Sequence, residues 1–445
     1  MVLFIKILQV VLALGILLLI NELGHFAFAK LFGIRVDKFF LFFDAWGGKL
    51  FSTKSKWFIK LFPKAEKWET EYGIGWLPLG GYCKIAGMID ESMDTEQMKN
   101  EPQPWEFRTK SAWKRLFVMA GGVLFNFVFA IMLFIAILAI WGEVYVPNEG
   151  KQIYVNELAY EMGFRNGDHI ISYDGEKPED FETLQTDLAR KMVKKVEVLR
   201  DGDTLDIYID QSKISQILNS KERMFEQAQP YIICAFTKDS PNTKCGLQLG
   251  DQIIEVCGTE VEYFLDARKL ISQHPQEKIE VKAVRESDTL SVTLQVNDKG
   301  QVGIYGPPIE VEIKEYDFLS AIPAGFRKTF TSISEYLQDL RLVATPSTEA
   351  YKSVGSFISI GQVFPDQWNW YGFTNILALL SIMLGVMNLL PIPALDGGHI
   401  MFTLYEIITR RKPSDSFLYV AQIIGMILIF GLMFLAFGND IAKIF

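Results

Sequence analysis

Asn21-Glu22-Leu23-Gly24-His25 lies at the end of the first long apolar run of the chain, and Asp396-Gly397-Gly398-His399 follows a later run that ends near Asn388. Ionisable groups at membrane depth are costly, so they mark a functional site by default. On a helix, positions 21 and 25 share a face, and Glu22 lies one turn from His25. In a His-Glu-x-x-His helix two histidines bind zinc and the glutamate acts as general base. A third ligand completes a catalytic site of this kind and leaves one position for water, whose pKa the metal lowers toward neutrality. Asp396 is the obvious third ligand. Pro391, Pro393, Gly397 and Gly398 break the helix and let the carboxylate turn inward. Glu22, His25 and Asp396 are thus most of a zinc hydrolase. Asn21 stands where such a site wants an imidazole, and its neutral amide oxygen is a poorer zinc ligand.

Each group also has a plainer reading. Glu22 and His25 can pair with each other inside a bundle. Asp396 can cap the helix after Pro393, and Asn388 can be a polar contact between helices. His399 is a weaker ligand candidate than Asp396, and His169 and His274 fall far from both clusters. The matched depth of the two clusters is what favours a joint site.

Four segments are long and apolar enough to place these groups at membrane depth: Val2 to Ile20 with its continuation to Ala29, Leu116 to Trp141, Phe373 to Leu390, and Phe417 to Phe437. The first lacks both a charged start and a small-residue cleavage site before Glu22, so it is read as retained. Lys30, Arg35 and Lys38 follow it, Arg108, Lys110, Lys114 and Arg115 precede the second, and Arg410, Arg411 and Lys412 separate the last two. The excess of basic residues puts those loops in the cytoplasm and the long segment after Trp141 outside. Both polar clusters then lie toward cytoplasmic helix ends. The chain is 445 residues and 49% hydrophobic, and its net charge of -9 gives no case for a nucleic-acid surface. Cys83, Cys234, Cys245 and Cys257 have no zinc-ribbon or redox spacing. Isolated buried thiols are expected, although one bridge among the last three is open.

The outer segment repeats itself. Gly163 to Ile171 matches Gly246 to Ile254, Gly175 matches Gly258, and Phe181 matches Phe264. One small domain copied, with short β-rich runs around it, explains this better than a solenoid. The Gly-Leu-x-x-Gly-Asp-x-Ile-Ile pattern resembles PDZ domains, which bind extended peptide on a sheet edge; two small β-domains without a ligand are the alternative. Between the first two spans, Phe39 to Phe43, Trp46-Gly47-Gly48 and the run from Tyr72 to Tyr82 are aromatic and glycine-rich. They suggest a re-entrant β-hairpin or sheet whose strand edge could hold a substrate, or else an ordinary interfacial loop. Residues 316–343 have helical apolar spacing and read as an amphipathic helix near the outer surface.

Taken together, these motifs resemble the site-2 protease family of zinc intramembrane metalloproteases, in the RseP-like bacterial branch that regulates sigma factors. The resemblance covers nearly the whole chain and is carried by Glu22-x-x-His25, Ala120-Gly121-Gly122 with Asn126, the tandem repeat, and Asn388-x-x-Pro-x-Pro-x-Leu-Asp396-Gly-Gly. It implies a Zn2+ cofactor with His25 and Asp396 as ligands and Asn21 at the position of the missing first ligand. It also implies Glu22 as catalytic base and Asn388 with a role in handling substrate. Tyr72, Gly73, Ile74 and Gly75 join the substrate-binding set from the strand argument. The implied substrates are single-span membrane proteins such as anti-sigma factors already trimmed by another protease, and signal-peptide remnants, with the PDZ-like domains binding or filtering them. Asn21 itself is read as an inactivating change, a mark of a pseudoprotease, or a substitution compensated elsewhere. A protein that captures the same substrates without cutting them is the alternative function; a transporter is disfavoured by the few spans and the lack of an inverted repeat.

The expected architecture is a multi-pass α-helical protein of the inner membrane with four transmembrane helices (1–29, 116–141, 371–399, 416–437). Two extracytoplasmic PDZ-like α/β domains (143–225, 226–310) are inserted, followed by an amphipathic linker (311–370). A cytoplasmic loop with a membrane-associated β region (30–115) and a second cytoplasmic loop (400–415) complete it.

Overall fold

The computed structural model describes residues 1–78, 80–88, 101–220, 222–238 and 240–444. Leu79 and residues 89–100, within the expected β-bearing loop, lie outside the described residues. Among the described residues four helices are long and apolar enough to cross a membrane: Val2–Leu31, Ala112–Trp141, Trp370–Leu389 and Ser416–Ala442. The chain forms two compact units, one of residues 1–143, 315–341 and 351–445, the other of residues 144–314 and 342–350.

In the first unit, α1 (Val2–Leu31) leads into a sheet of β1 (Val36–Leu41), β2 (Lys49–Ser52), β3 (Glu71–Gly75) and β4 (Tyr82–Ile85), with α2 (Lys56–Leu61) after β2. The sheet order is β2-β3-β1-β4. β1 runs parallel to β3, with Phe40 opposite Gly73, and antiparallel to β4, with Phe40 opposite Tyr82. Then come α3 (Ala112–Trp141), α4 (Phe318–Ala344), α5 (Phe357–Val363), α6 (Trp370–Leu389), α7 (Asp396–Thr409) and α8 (Asp415–Ile444).

Glycine sets the crossing of α1 and α3. A Cβ at Gly24 of α1 would lie 2.2 Å from the Gly121 carbonyl oxygen of α3, and one at Gly121 would lie 2.6 Å from that of Gly24. Small residues let membrane helices approach to backbone contact, and that contact fixes α1 against α3 just where Glu22 and His25 stand. Below the crossing, Ala29, Ile34, Val36, Ile85, Val118 and Met119 form a core joining helices to sheet.

The third span and the cysteines differ from the sequence expectation. The third span stops at Leu389, and residues 400–409 continue helix α7 instead of forming a loop. Apolar side chains recur along α7, and Arg115 of α3 ties it down through Glu406 at 2.5 Å. The amphipathic helix α4 packs on α3 through Ala321 and Ala324, buried against Leu138, while Phe318, Leu319, Phe330 and Leu337 stay exposed. The four cysteines are free thiols, and Cys234 and Cys257 are exposed, not buried.

The second unit contains two small α/β modules. The first has a sheet of His169–Tyr173, Lys195–Arg200 and Asp203–Tyr208 beside the helix Leu184–Arg190; the second has Gln252–Val256, Lys278–Arg285 and Asp288–Gln295 beside the helix Phe264–Ser272. The strand Phe225–Gln227 pairs with Ile153–Val155 and belongs to the first module, so the boundary falls a few residues beyond 225. The sequence repeat is also a repeat of contacts. Arg200 donates to both Asp168 oxygens (2.6 and 2.8 Å) and to the Gly163 carbonyl, as Arg285 does to Asp251 (2.8 and 2.7 Å) and to the Gly246 carbonyl.

Hydrogen bonds from Arg285 hold the Asp251 carboxyl below its usual range, with burial opposing. A depressed folded pKa contributes stability above the ordinary carboxylate range, which is lost as pH falls through the folded value. Arg285→Met leaves the Asp251 carboxylate with only the Gln248 N–H as a donor among the described residues and is expected to destabilise the second module. Hydrogen exchange should then quicken across 252–256 and 278–285 in the full chain; unchanged exchange would refute this.

Candidate active site

His25 is held by backbone. Its Nδ1 lies 2.9 Å from the Val118 carbonyl oxygen; a carbonyl only accepts, so Nδ1 carries the proton. In the neutral ring Nε2 therefore offers its lone pair. That Nε2 stands 3.3 Å from Oδ2 of Asp396, a buried oxygen with no hydrogen-bond partner among the described residues. Asp396 opens α7 after the Pro391–Pro393 break and does not serve as the side-chain cap of that helix.

The donor set can be tested for zinc. Ligands about 2.0–2.1 Å from a tetrahedral zinc stand about 3.3 Å from each other, the separation between His25 and Asp396. A proton on Nε2 would instead make the two a buried ion pair. Asn21 does not fit as the remaining ligand. Its Oδ1 already accepts from Nδ2 of Asn126 at 3.0 Å and from Nδ2 of Asn388 at 3.2 Å. Its Nδ2, which has no lone pair to give, faces His25 Nε2 at 3.5 Å. Among the described residues no group of three His, Cys, Asp or Glu side chains could hold a metal. His25 and Asp396 thus stand at the separation two zinc ligands would have, with an amide beside them.

Asn21 has become a hub joining α1, α3 and α6. Its carbonyl gathers both neighbouring amides, and Ser381 of α6 adds a hydrogen bond to the Asn126 carbonyl at 2.8 Å. Gly122 makes room for this: a Cβ there would lie 2.4 Å from His25 Nε2 and 2.7 Å from Asn21 Oδ1. Asn126 and Gly122 entered the sequence argument only as parts of a motif. The Val118 carbonyl could not enter at all, because a backbone acceptor leaves no trace in residue type.

Asn21, Glu22, His25, Asn388 and Asp396 share one cavity of about 520 Å³ with Gly81, Tyr82, Cys83, Lys84 and Ile85. β4 is the sheet edge on this side. Tyr72, Gly73, Ile74 and Gly75 do not reach the cavity. They form β3, an interior strand whose backbone pairs with β1 and β2 on its two sides. Their glycines serve packing: a Cβ at Gly73 would lie 2.4 Å from the Phe40 ring, and one at Gly75 would lie 2.2 Å from the Phe43 backbone. Among the described residues the edge strand that lines the cavity is β4, ten residues further on.

At the sheet side of the cavity, Asp44 accepts from Tyr82 Oη at 2.8 Å and from Lys38 Nζ at 3.1 Å. Burial pushes the Asp44 carboxyl up, and these two hydrogen bonds outweigh it, so the group stays ionised. Burial and the nearby Glu22 push the Cys83 thiol well above its usual range, so it is no nucleophile. Burial also lowers the pKa of His399, against the pull of Asp396, which keeps that imidazole neutral.

The family model described as Peptidase family M50 matches residues 9–432. A protein named "Regulator of sigma E protease" from Haemophilus influenzae is 29% identical over 468 residues, covering 98% of each chain. "Regulator of sigma-E protease RseP" of Escherichia coli is 27% identical, and a "Putative zinc metalloprotease" of Vibrio cholerae is 26% identical, each again over 98% of both chains.

Proposed function

The chain belongs to peptidase family M50, the site-2 metalloproteases, and from that premise we propose that it is built to cut the transmembrane segments of single-span proteins, with Asn21 limiting the metal site of this sequence. The reading rests on the convergence of Glu22, His25 and Asp396 in one cavity beside the edge strand β4. Zinc held by a complete ligand set would supply the Lewis acidity that makes water a nucleophile near neutral pH. His25 and Asp396 are the two ligands this chain brings to it; Asn21 does not complete the shell.

Glu22 takes the role of general base. It lines the cavity, and its Oε1 lies 3.4 Å from Asn21 Nδ2, which orients the carboxylate. A helical substrate shields its own carbonyls, so the scissile stretch must unwind. The edge of β4 can hold it extended by strand addition, and Asn388, on α6, faces the same space. In this reading the two repeat modules are PDZ-like, lie outside the cytoplasm, and act as a filter against bulky substrate domains. Regulated proteolysis of anti-sigma factors or of signal-peptide remnants in the inner membrane is the corresponding role.

Photo-crosslinking tests the substrate path. A benzophenone side chain placed at Lys84 is expected to capture a single-span reporter, and one placed at Ile74 should not. Capture at Ile74 but not at Lys84 would move the substrate off β4 and overturn this part of the reading. The unmatched third ligand favours a second reading for this sequence, capture without cutting. It predicts that the reporter co-purifies and that Glu22→Gln changes nothing.

A further inference from the structure

Part of the membrane-side sheet is not used by the site. Phe42, just past β1, reaches Gly15, midway along α1: a Cβ on that glycine would lie 3.5 Å from the Phe42 ring. Nearer the base of the sheet, the Phe39 and Phe26 rings are 5.2 Å apart. At the end of α1, Lys30 pairs with Glu69 at 2.6 Å. The sheet therefore runs back alongside the first span, its tip level with Gly15 and its base level with Lys30. α2 and the Pro63–Lys67 turn connect β2 to β3 at that base.

This connection is built, not loose. Lys54 Nζ donates to the carbonyls of Ala65, Glu66 and Trp68 at 3.2, 2.8 and 2.7 Å and fixes the turn. Trp57 meets Phe51 edge-on at 6.0 Å, and Trp68 meets Phe58 at 6.3 Å. Both tryptophans stay exposed, at 58% and 43%. Lys56, Lys60, Lys64 and Lys67 are exposed beside them, and none forms an ion pair among the described residues. Glu66 is the one acidic residue between positions 56 and 68.

We propose that this turn docks on the headgroup layer of the bilayer that α1 spans and selects anionic phospholipid there, through Lys56, Lys60, Lys64 and Lys67 with Trp57 and Trp68. Tryptophan favours the headgroup level. Lysine lays its apolar stem along the acyl boundary and raises its ammonium to the phosphates. A basic cluster at that level attracts anionic lipid within a Debye length. The same patch facing an acidic protein would need neither the depth nor the aromatic faces. The proposal rests on α1 crossing the membrane and not on proteolysis.

Fluorescence quenching in the full-length chain tests it. The protein is reconstituted into vesicles with equal parts phosphatidylcholine and phosphatidylglycerol, carrying brominated acyl chains on one lipid or on the other. The signal due to Trp57 and Trp68 is obtained by difference from Trp57→Phe/Trp68→Phe. Bromine on phosphatidylglycerol should quench it at least about twofold more than bromine on phosphatidylcholine. Changing all four lysines to glutamine should abolish that preference while leaving the two tryptophans quenched. Equal quenching by the two lipids in the original chain would overturn the selectivity. No quenching by either would overturn the docking, as would a preference that survives in the four-glutamine chain.

Discussion

Asn21→His is expected to raise cleavage of a single-span membrane reporter by at least roughly 10–100-fold over the chain as written. The imidazole completes a set in which His25 and Asp396 already stand at ligand separation. Replacing the amide also removes the oxygen that ties Asn126 and Asn388 to α1. The Asn388 side chain then becomes available to substrate, so the gain combines metal and substrate contributions. Metal content separates them: purified Asn21→His should carry close to one zinc per chain, and the original should carry much less. Glu22→Gln in the histidine background should abolish cleavage while zinc stays bound. Equal cleavage by the two chains would show that Asn21 is tolerated, and would sink the assignment of that position as the limiting one.

Gly24→Val is expected to lower the activity of the Asn21→His chain at least about 100-fold, although residue 24 offers no group for chemistry. The added Cβ would meet the Gly121 carbonyl at 2.2 Å, a backbone contact that no rotamer change relieves. The helices must part, and the hydrogen bond from His25 Nδ1 to the Val118 carbonyl breaks with them. Overpacking of this kind also costs about 1–3 kcal/mol of stability. Loss of zinc and of activity, with the protein still extractable as a folded monodisperse species, is the expected outcome. Full activity would mean that the crossing does not position His25.

The spans were legible because hydropathy over twenty or so residues is a strong signal, and the repeat was legible because it copies residue types in register. His25, Glu22 and Asp396 were legible as a group because ionisable residues are rare at that depth. What escaped the sequence is mostly backbone. Glycine at 24, 121 and 122 announces small size but not the neighbour it makes room for. The aromatic-glycine pattern marked a sheet near the membrane yet could not order its strands. The run from Tyr72 to Tyr82 therefore took the substrate role as a whole, whereas its first part, β3, is interior and Tyr82 at its end opens the edge strand β4. Helix α7 was missed because the proline-glycine break drew attention to where a helix stops, and its resumption depends on packing against α3.

The depth of the sheet sets the terms on which a substrate can be chosen. With Phe42 beside Gly15, the tip of the sheet lies level with the middle of α1, and in the proposed reading the edge strand β4 lies within the hydrocarbon level, where water is scarce and backbone groups must find partners in protein. A helical segment that lies along β4 gives up its own ladder and gains a new one, so the number of hydrogen bonds changes little. Preference among substrates then falls to the difference in helix stability over a few residues near the cut. Glycine, asparagine or proline there weakens the helix by about 0.7–3 kcal/mol each relative to alanine. In the proposed reading, a transmembrane sequence is graded less by the side chains at the scissile bond than by how cheaply it stops being a helix.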